Sequence, residues 1–105
     1  MISTHILDTG LGLAAAAVKV ALQKRVNADW VEVAQGETNA DGRLAFPEVK
    51  EAGDYRLIFG VEGYFKDRPS FFLDTTVSFR ITDTGRKYHV PLLLNSYGYS
   101  SYRGT

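Results

Sequence analysis

Cysteine is absent from this chain of 105 residues. That excludes a disulfide framework, a thiolate zinc site and a cysteine nucleophile. No apolar run approaches the ~20 residues needed to span a membrane as a helix. The opening residues, Met1-Ile2-Ser3-Thr4-His5, lack the basic stretch and apolar core of a signal peptide, and the final residues are not a peroxisomal address. The expectation is a soluble cytoplasmic protein with no membrane partner. An excess of either charge is missing too: twelve basic and twelve acidic residues cancel. Nucleic-acid binding usually needs a basic surface to displace counterions, so no nucleic-acid partner is expected. No internal repeat, low-complexity linker or domain boundary is visible, and this length supports one core, hence a single domain over residues 1–105.

What the chain does have is alternation. Thr75, Val77, Phe79 and Ile81 fall on one side of a period-two pattern, with Thr76, Ser78, Arg80 and Thr82 on the other. Tyr55, Leu57 and Phe59 repeat it against Arg56 and Ile58. Turn signals separate such runs at Asn39-Ala40-Asp41-Gly42, Ala52-Gly53-Asp54, Asp83-Thr84-Gly85 and Asn95 to Gly98. Short strands punctuated this way predict an all-β sandwich or barrel. Two segments resist. Leu11 to Arg25 fits a helical spacing (Leu11, Ala14, Val18, Leu22) as well as a strand alternation, and is read as a loop followed by a strand beginning near Val18. Val61 to Lys66 has room for one or two helical turns between strands.

Few residues can carry chemistry. There are two histidines. His5 lies in an expected first strand, on the face shared with Ser3 and Leu7. His89 lies on the face opposite Tyr88, Val90 and Leu92. Arg43 opens a strand directly after the Asp41-Gly42 turn, at a sandwich rim, either paired with Asp41 or Glu37 or free to meet a ligand. Pro91 lacks a ladder donor, which predicts an edge strand or a bulge beside His89. No nucleophile elbow, phosphate loop, dinucleotide fingerprint or calcium loop occurs, and two distant histidines with no clear third ligand make no zinc site. The last residues, Tyr102-Arg103-Gly104-Thr105, follow the tyrosine-rich run Tyr97-Gly98-Tyr99-Ser100-Ser101 and read as a strand end covered by something rather than a solvated tail.

Taken together, these blocks resemble the 5-hydroxyisourate hydrolases of the transthyretin-like family across essentially the full length. The matching stretches are Thr4-His5-Ile6-Leu7-Asp8, Gly36-Glu37-Thr38-Asn39-Ala40-Asp41-Gly42-Arg43, Tyr88-His89-Val90-Pro91-Leu92-Leu93-Leu94 and the closing Tyr102-Arg103-Gly104-Thr105. Tyr55-Arg56-Leu57, Gly63-Tyr64-Phe65 and Phe71-Phe72 lie between them. Thr105 departs from the family's usual Ser, keeping the hydroxyl. Ala14 and Ala17 stand where Pro and Gly are common, and Asn95-Ser96 replaces a more usual Ser-Pro.

The resemblance implies a two-sheet transthyretin-like β-sandwich of about eight strands with one short helix. It implies a homotetramer, a dimer of dimers, with active sites at the dimer–dimer interface. The implied reaction is hydrolysis of 5-hydroxyisourate to 2-oxo-4-hydroxy-4-carboxy-5-ureidoimidazoline, with no metal or organic cofactor. Carried onto matching positions, His5 and His89 would position and deprotonate water or relay its proton, in either order. Arg43 would bind substrate oxygens and stabilise developing negative charge. Tyr102 and Thr105 would complete the pocket, and Arg103 would contact substrate or anchor the tail by a salt bridge. The competing reading is a transthyretin-like small-molecule carrier without activity. Transthyretin shares the fold but lacks the paired histidines and this ending. An inert interaction domain is a third reading, with no residue in its favour.

Overall fold

The computed structural model describes residues 1–47 and 49–105. Its strands are β1 (Ile2–Asp8), β2 (Leu13–Ala14), β3 (Lys19–Val26), β4 (Asp29–Glu37), β5 (Arg43–Phe46), β6 (Gly53–Phe59), β7 (Thr75–Ile81), β8 (Tyr88–His89), β9 (Leu92–Asn95) and β10 (Gly98–Ser101). A single helical turn, α1 (Val61–Tyr64), precedes β7. These ten strands match the eight expected once the two-residue β2 is taken as a bridge and β8 and β9 as one interrupted strand. Six strands form one sheet around β1, and four form the other in the order β4-β3-β6-β7. The alternation predicted for β6 and β7 is realised. Tyr55, Leu57 and Phe59 are buried, as are Thr75 and Ile81, while Thr76, Ser78 and Arg80 are exposed. Apolar residues of both sheets, Ile2, Ile6, Leu22, Leu57 and Leu92 among them, share one core between the layers. At roughly 25 cal/mol per Å², burying such side chains is the main stabilising term.

Leu11 to Arg25 resolves as the strand reading had it, with β3 beginning at Lys19. The helical spacing loses because Val20 and Leu22 pack on the core while β3 bonds both β4 and β6. Ala17 takes φ 59°. For a residue with a Cβ this left-handed conformation costs about 1–2 kcal/mol. The β3–β4 hairpin turns on Asn27, also at φ 59°, a residue type that tolerates that region.

β1 is the spine of its sheet. Its first half pairs antiparallel with β5 and parallel with β8, and its second half pairs antiparallel with β2 and parallel with β9. The expectation for Pro91 therefore needs correcting. Its strand is interior, between β1 on one side and β10 with Gly104 on the other, and it carries no bulge. The register with β1 is the same before and after Pro91, from Ser3 opposite His89 to Ile6 opposite Leu92. The ladder is simply interrupted, and side chains fill the gap. The Thr4 hydroxyl donates to the Val90 carbonyl at 2.6 Å and the Ser101 hydroxyl to the Pro91 carbonyl at 2.8 Å.

At the far end of β1, Asp8 is buried and clamps the segment after α1. Its carboxylate accepts from the Tyr64 hydroxyl and from Arg68, each at 2.7 Å, and from the Leu11 amide at 3.0 Å. Burial pushes the Asp8 carboxyl up, but these hydrogen bonds, Arg68's foremost, hold it below its ordinary value. A depressed carboxyl pKa contributes stability above the unfolded value, about 3.9, and loses it as pH falls through the lower folded one. Asp8→Asn is therefore expected to be less stable than the parent at pH 7. Its urea midpoint should also fall less steeply below about pH 4, where the parent's Asp8 contribution disappears. Parallel midpoint-versus-pH curves would contradict this account.

Candidate functional site

The site begins with strand register. Directly paired residues of neighbouring strands project to the same face, with Cβ atoms about 5 Å apart. On β1, Ile2, Thr4, Ile6 and Asp8 point into the core, which leaves Ser3, His5 and Leu7 on the opposite face. His5 pairs with Arg43 of β5, and Ser3 pairs with both Ala45 of β5 and His89 of β8. Beyond His89 the tail closes the row, with Gly104 bridging to it through its amide, which donates to the His89 carbonyl at 2.8 Å. Residues 5, 43, 89 and 104, far apart in the chain, thus stand on four adjacent segments of one outer sheet face.

Arg43 reaches this face because the preceding turn is tightly made. The Asn39 side-chain oxygen accepts from the amides of Asp41 and Arg43, at 2.9 and 3.0 Å. Gly42 at φ 75° lets its carbonyl meet the Ile6 amide at 2.8 Å. Among the described residues Arg43 forms no ion pair, so the rim pairing with Asp41 or Glu37 does not occur and its guanidinium is open to a ligand.

His89 is half-buried, and its Nδ1 lies 2.9 Å from the Ser3 hydroxyl. Burial lowers its pKa, the positive field of Arg43 and the neighbouring His5 lower it further, and a hydrogen bond to the Ser3 backbone opposes them. His89 is therefore neutral near pH 7 and able to accept a proton.

A cleft of about 500 Å³ lies over this face, and Ser3, Arg43, Lys87, His89, Gly104 and Thr105 are among its walls. Tyr102 and Arg103 line a smaller cleft of about 240 Å³ on the other flank of His89. Among the described residues the salt bridge considered for Arg103 is not formed. Its guanidinium instead lies 5.7 Å from the Tyr88 ring centroid, as Arg86 does at 5.6 Å. Tyr102 is 58% exposed on the isolated chain. The structure thus brings His5, Arg43, His89 and Thr105 to one face and sets Tyr102 and Arg103 beside it. Sequence reasoning missed Ser3, although its place two residues before His5 on the same face was the available signal. Lys87 and Arg86 were missed because their position in the cleft depends on the β1–β8 pairing. No cluster of three or more metal-ligating side chains occurs among the described residues.

The family profile described as HIUase/transthyretin matches residues 2–104. The chain belongs to that family. A 5-hydroxyisourate hydrolase of Salmonella dublin is 43% identical over 110 residues, spanning all of this chain and 81% of the relative. Among solved structures, the Klebsiella pneumoniae 5-hydroxyisourate hydrolase superposes with a TM-score of 0.86 at 34% identity, covering 99% of this chain and 98% of the other. Sea bream transthyretin in complex with thyroxine superposes with a TM-score of 0.90 at 25% identity, covering 99% and 94%. Family membership establishes the two-sheet transthyretin-like sandwich. The fold likeness does not separate the hydrolases from the thyroxine-bound transthyretin, so the chemistry of the outer face must do so.

Proposed function

We propose that this protein is a 5-hydroxyisourate hydrolase of purine (urate) catabolism, converting 5-hydroxyisourate to 2-oxo-4-hydroxy-4-carboxy-5-ureidoimidazoline. The observation that carries the reading is the β1 register, which stands His5 beside Arg43 and Ser3 beside His89 on one solvent-facing sheet surface. The identity to curated hydrolases supports it from a separate direction.

The chemistry follows from what each group can do. A planar, oxygen-rich ring enters the cleft and is held through its carbonyl oxygens by the unpaired Arg43 guanidinium. Neutral His89 takes a proton from water as the oxygen attacks a ring carbonyl, a role worth typically ~10²–10⁴-fold. Negative charge grows on the carbonyl oxygen, where a fixed donor such as Arg43 contributes about 3–4 kcal/mol. The ring C–N bond then breaks, and the departing nitrogen receives the proton that His89 took. His5, beside Arg43, orients the ring or passes the proton. The Thr105 hydroxyl completes the wall next to His89. Every role is filled by side chains and water.

Residues 1–105 act as one domain in this reading, and the working form is a cytoplasmic homotetramer, a dimer of dimers. Exposure of Tyr97 at 69% and Tyr102 at 58% on a single chain supports covering of the tail by a neighbouring subunit, with Tyr102 and Arg103 closing the substrate site across that contact. No helix among the described residues is long and apolar enough to cross a membrane.

The test is an ultraviolet time course in which urate oxidase generates 5-hydroxyisourate in place. Decay should accelerate with the protein, and Arg43→Ala or His89→Ala should each lower the catalysed rate by about 10²-fold or more. Decay at the spontaneous rate in the presence of correctly folded protein would remove the hydrolase reading and favour a ligand carrier.

A further inference from the structure

Among the described residues, His89 is the proposed base whose ring has a side-chain hydrogen-bond partner. That partner is Ser3, whose hydroxyl sits 2.9 Å from Nδ1 across the parallel β1–β8 ladder. We propose that Ser3 is a positioning residue for the hydrolytic reaction: its hydroxyl accepts the His89 Nδ1 proton, leaving the unprotonated Nε2 as the nitrogen that takes the proton from water. The inference rests on the hydrolase reading for its catalytic consequence, but the hydrogen bond itself can be tested without turnover.

Three observations support the assignment. The backbone around the pair is rigid, because the Val90 amide donates to the Ser3 carbonyl at 2.9 Å and the Thr4 hydroxyl caps the Val90 carbonyl at 2.6 Å. Ser3 cannot drift away from β8 without breaking both. On the other side, Gly104 lies against the ring so closely that a Cβ there would be 2.5 Å from His89 Cδ2. The imidazole is thus held between a hydroxyl at Nδ1 and the tail backbone at Cδ2, which limits its rotation. Finally, no side chain or backbone group among the described residues bonds Nε2, which remains free for substrate and water. Which nitrogen of a histidine carries the proton is set by the bond the other makes, and a base held in one tautomer is a recurring arrangement in hydrolases.

The charged surroundings make the same bond matter energetically. The groups facing His89 are His5 from β1, Arg43 from β5, Arg86 and Lys87 just before β8, and Arg103 of the tail. None of these side chains is a carboxylate, and Thr105 of the tail also lines the cleft. An imidazolium formed during water attack is therefore flanked by positive charge, and the Ser3 hydroxyl is the side-chain acceptor bonded to its ring among the described residues. Losing it should disfavour the protonated ring, so that the acid limb of the rate profile moves to lower pH.

Ser3→Ala keeps a small residue on β1, and Ser3→Thr keeps the hydroxyl. In the full protein, Ser3→Ala is expected to lower kcat by about 10-fold or more with KM within about twofold, and to shift the acid limb of kcat to lower pH. Ser3→Thr should restore most of the rate. Nitrogen-15 NMR of the imidazoles, with His5→Gln as background for assignment, should show Nδ1-protonated His89 in the parent and a tautomer mixture in Ser3→Ala. The NMR result stands even where turnover is absent, so failure of the hydrolase reading and failure of this proposal remain distinguishable. Unchanged His89 nitrogen shifts in Ser3→Ala, or a Ser3→Ala enzyme with parental kcat and pH profile, would overturn the assignment. Equal losses in Ser3→Ala and Ser3→Thr would overturn it too, because the hydroxyl would then not be what matters.

Discussion

Gly104→Ala is expected to reduce turnover by about 10²-fold while leaving the thermal midpoint within a few degrees of the parent. The glycine is not there for flexibility, as its position near the end of the chain suggests. It is there because nothing larger fits. A Cβ at Gly104 would lie 2.5 Å from His89 Cδ2, 3.2 Å from Cγ and 3.3 Å from the histidine's own Cβ. All three contacts fall on a single side chain, so one of two partners must move. Either the tail lifts, breaking the Gly104 amide bond to the His89 carbonyl at 2.8 Å, or the imidazole swings out of its place at Ser3. The first displaces Thr105 from the cleft, and the second misaims the base. Misplacement of a catalytic group by about 1 Å can cost 10²-fold. Stability should hardly change, because Gly104 contributes one isolated bridge and buries no side chain in the core. Steady-state kinetics beside a thermal melt decides it. A Gly104→Ala enzyme with parental turnover would mean that the tail does not set the position of His89.

Gly42→Ala should have the opposite signature, a large loss of stability that takes activity with it. Gly42 has φ 75° and is buried. A Cβ there would stand 2.5 Å from the Ile6 carbonyl oxygen and 3.2 Å from both the Ala15 amide nitrogen and the Ala14 Cβ. The first contact is with the backbone of β1, which cannot step aside like the end of a long side chain. The left-handed conformation alone costs a residue with a Cβ about 1–2 kcal/mol. Displacing β1 or the turn also strains the hydrogen bond from the Ile6 amide to the Gly42 carbonyl. A total of about 3–5 kcal/mol is expected, a large share of the roughly 5–15 kcal/mol that holds a domain of this kind together. The same displacement moves Arg43, the next residue, out of register with His5. Urea unfolding read by fluorescence of the single tryptophan measures the loss. A change under about 1 kcal/mol would show that the turn has room the structure does not suggest.

Much of the fold was legible because it depends on local chemistry. Period-two alternation in Tyr55 to Phe59 and Thr75 to Ile81 is a backbone property, set by side chains pointing alternately to either face of a strand. The Asn39–Gly42, Asp83–Gly85 and Asn95–Gly98 turns were equally visible. Asn and Asp side chains bond nearby amides, as Asp83 does to Gly85 at 2.9 Å and Asn95 to Tyr97 at 3.0 Å. The Asn27 turn was missed because Asn-Ala is a weaker signal than Asn-Gly. Pro91 misled for a physical reason. A proline needs only a missing amide bond, and an interior strand can supply that gap when hydroxyls such as Thr4 and Ser101 take the neighbouring carbonyls.

The candidate site divides the same way. The sequence by itself determined the inventory: two histidines, an arginine after a glycine turn, an ending with a hydroxyl, and no cysteine to offer another chemistry. Side-chain type limits what reactions are possible, and that limit needs no coordinates. Only the tertiary structure decided which of these groups meet. The parallel pairing of β1 with β8 joins residues separated by 86 positions, as in the Ser3–His89 contact, and no local pattern encodes the partner of a strand. It also decided why position 104 is glycine, because the reason is the ring of His89 arriving from another strand. Composition named the candidate groups, and long-range strand pairing brought them to one face.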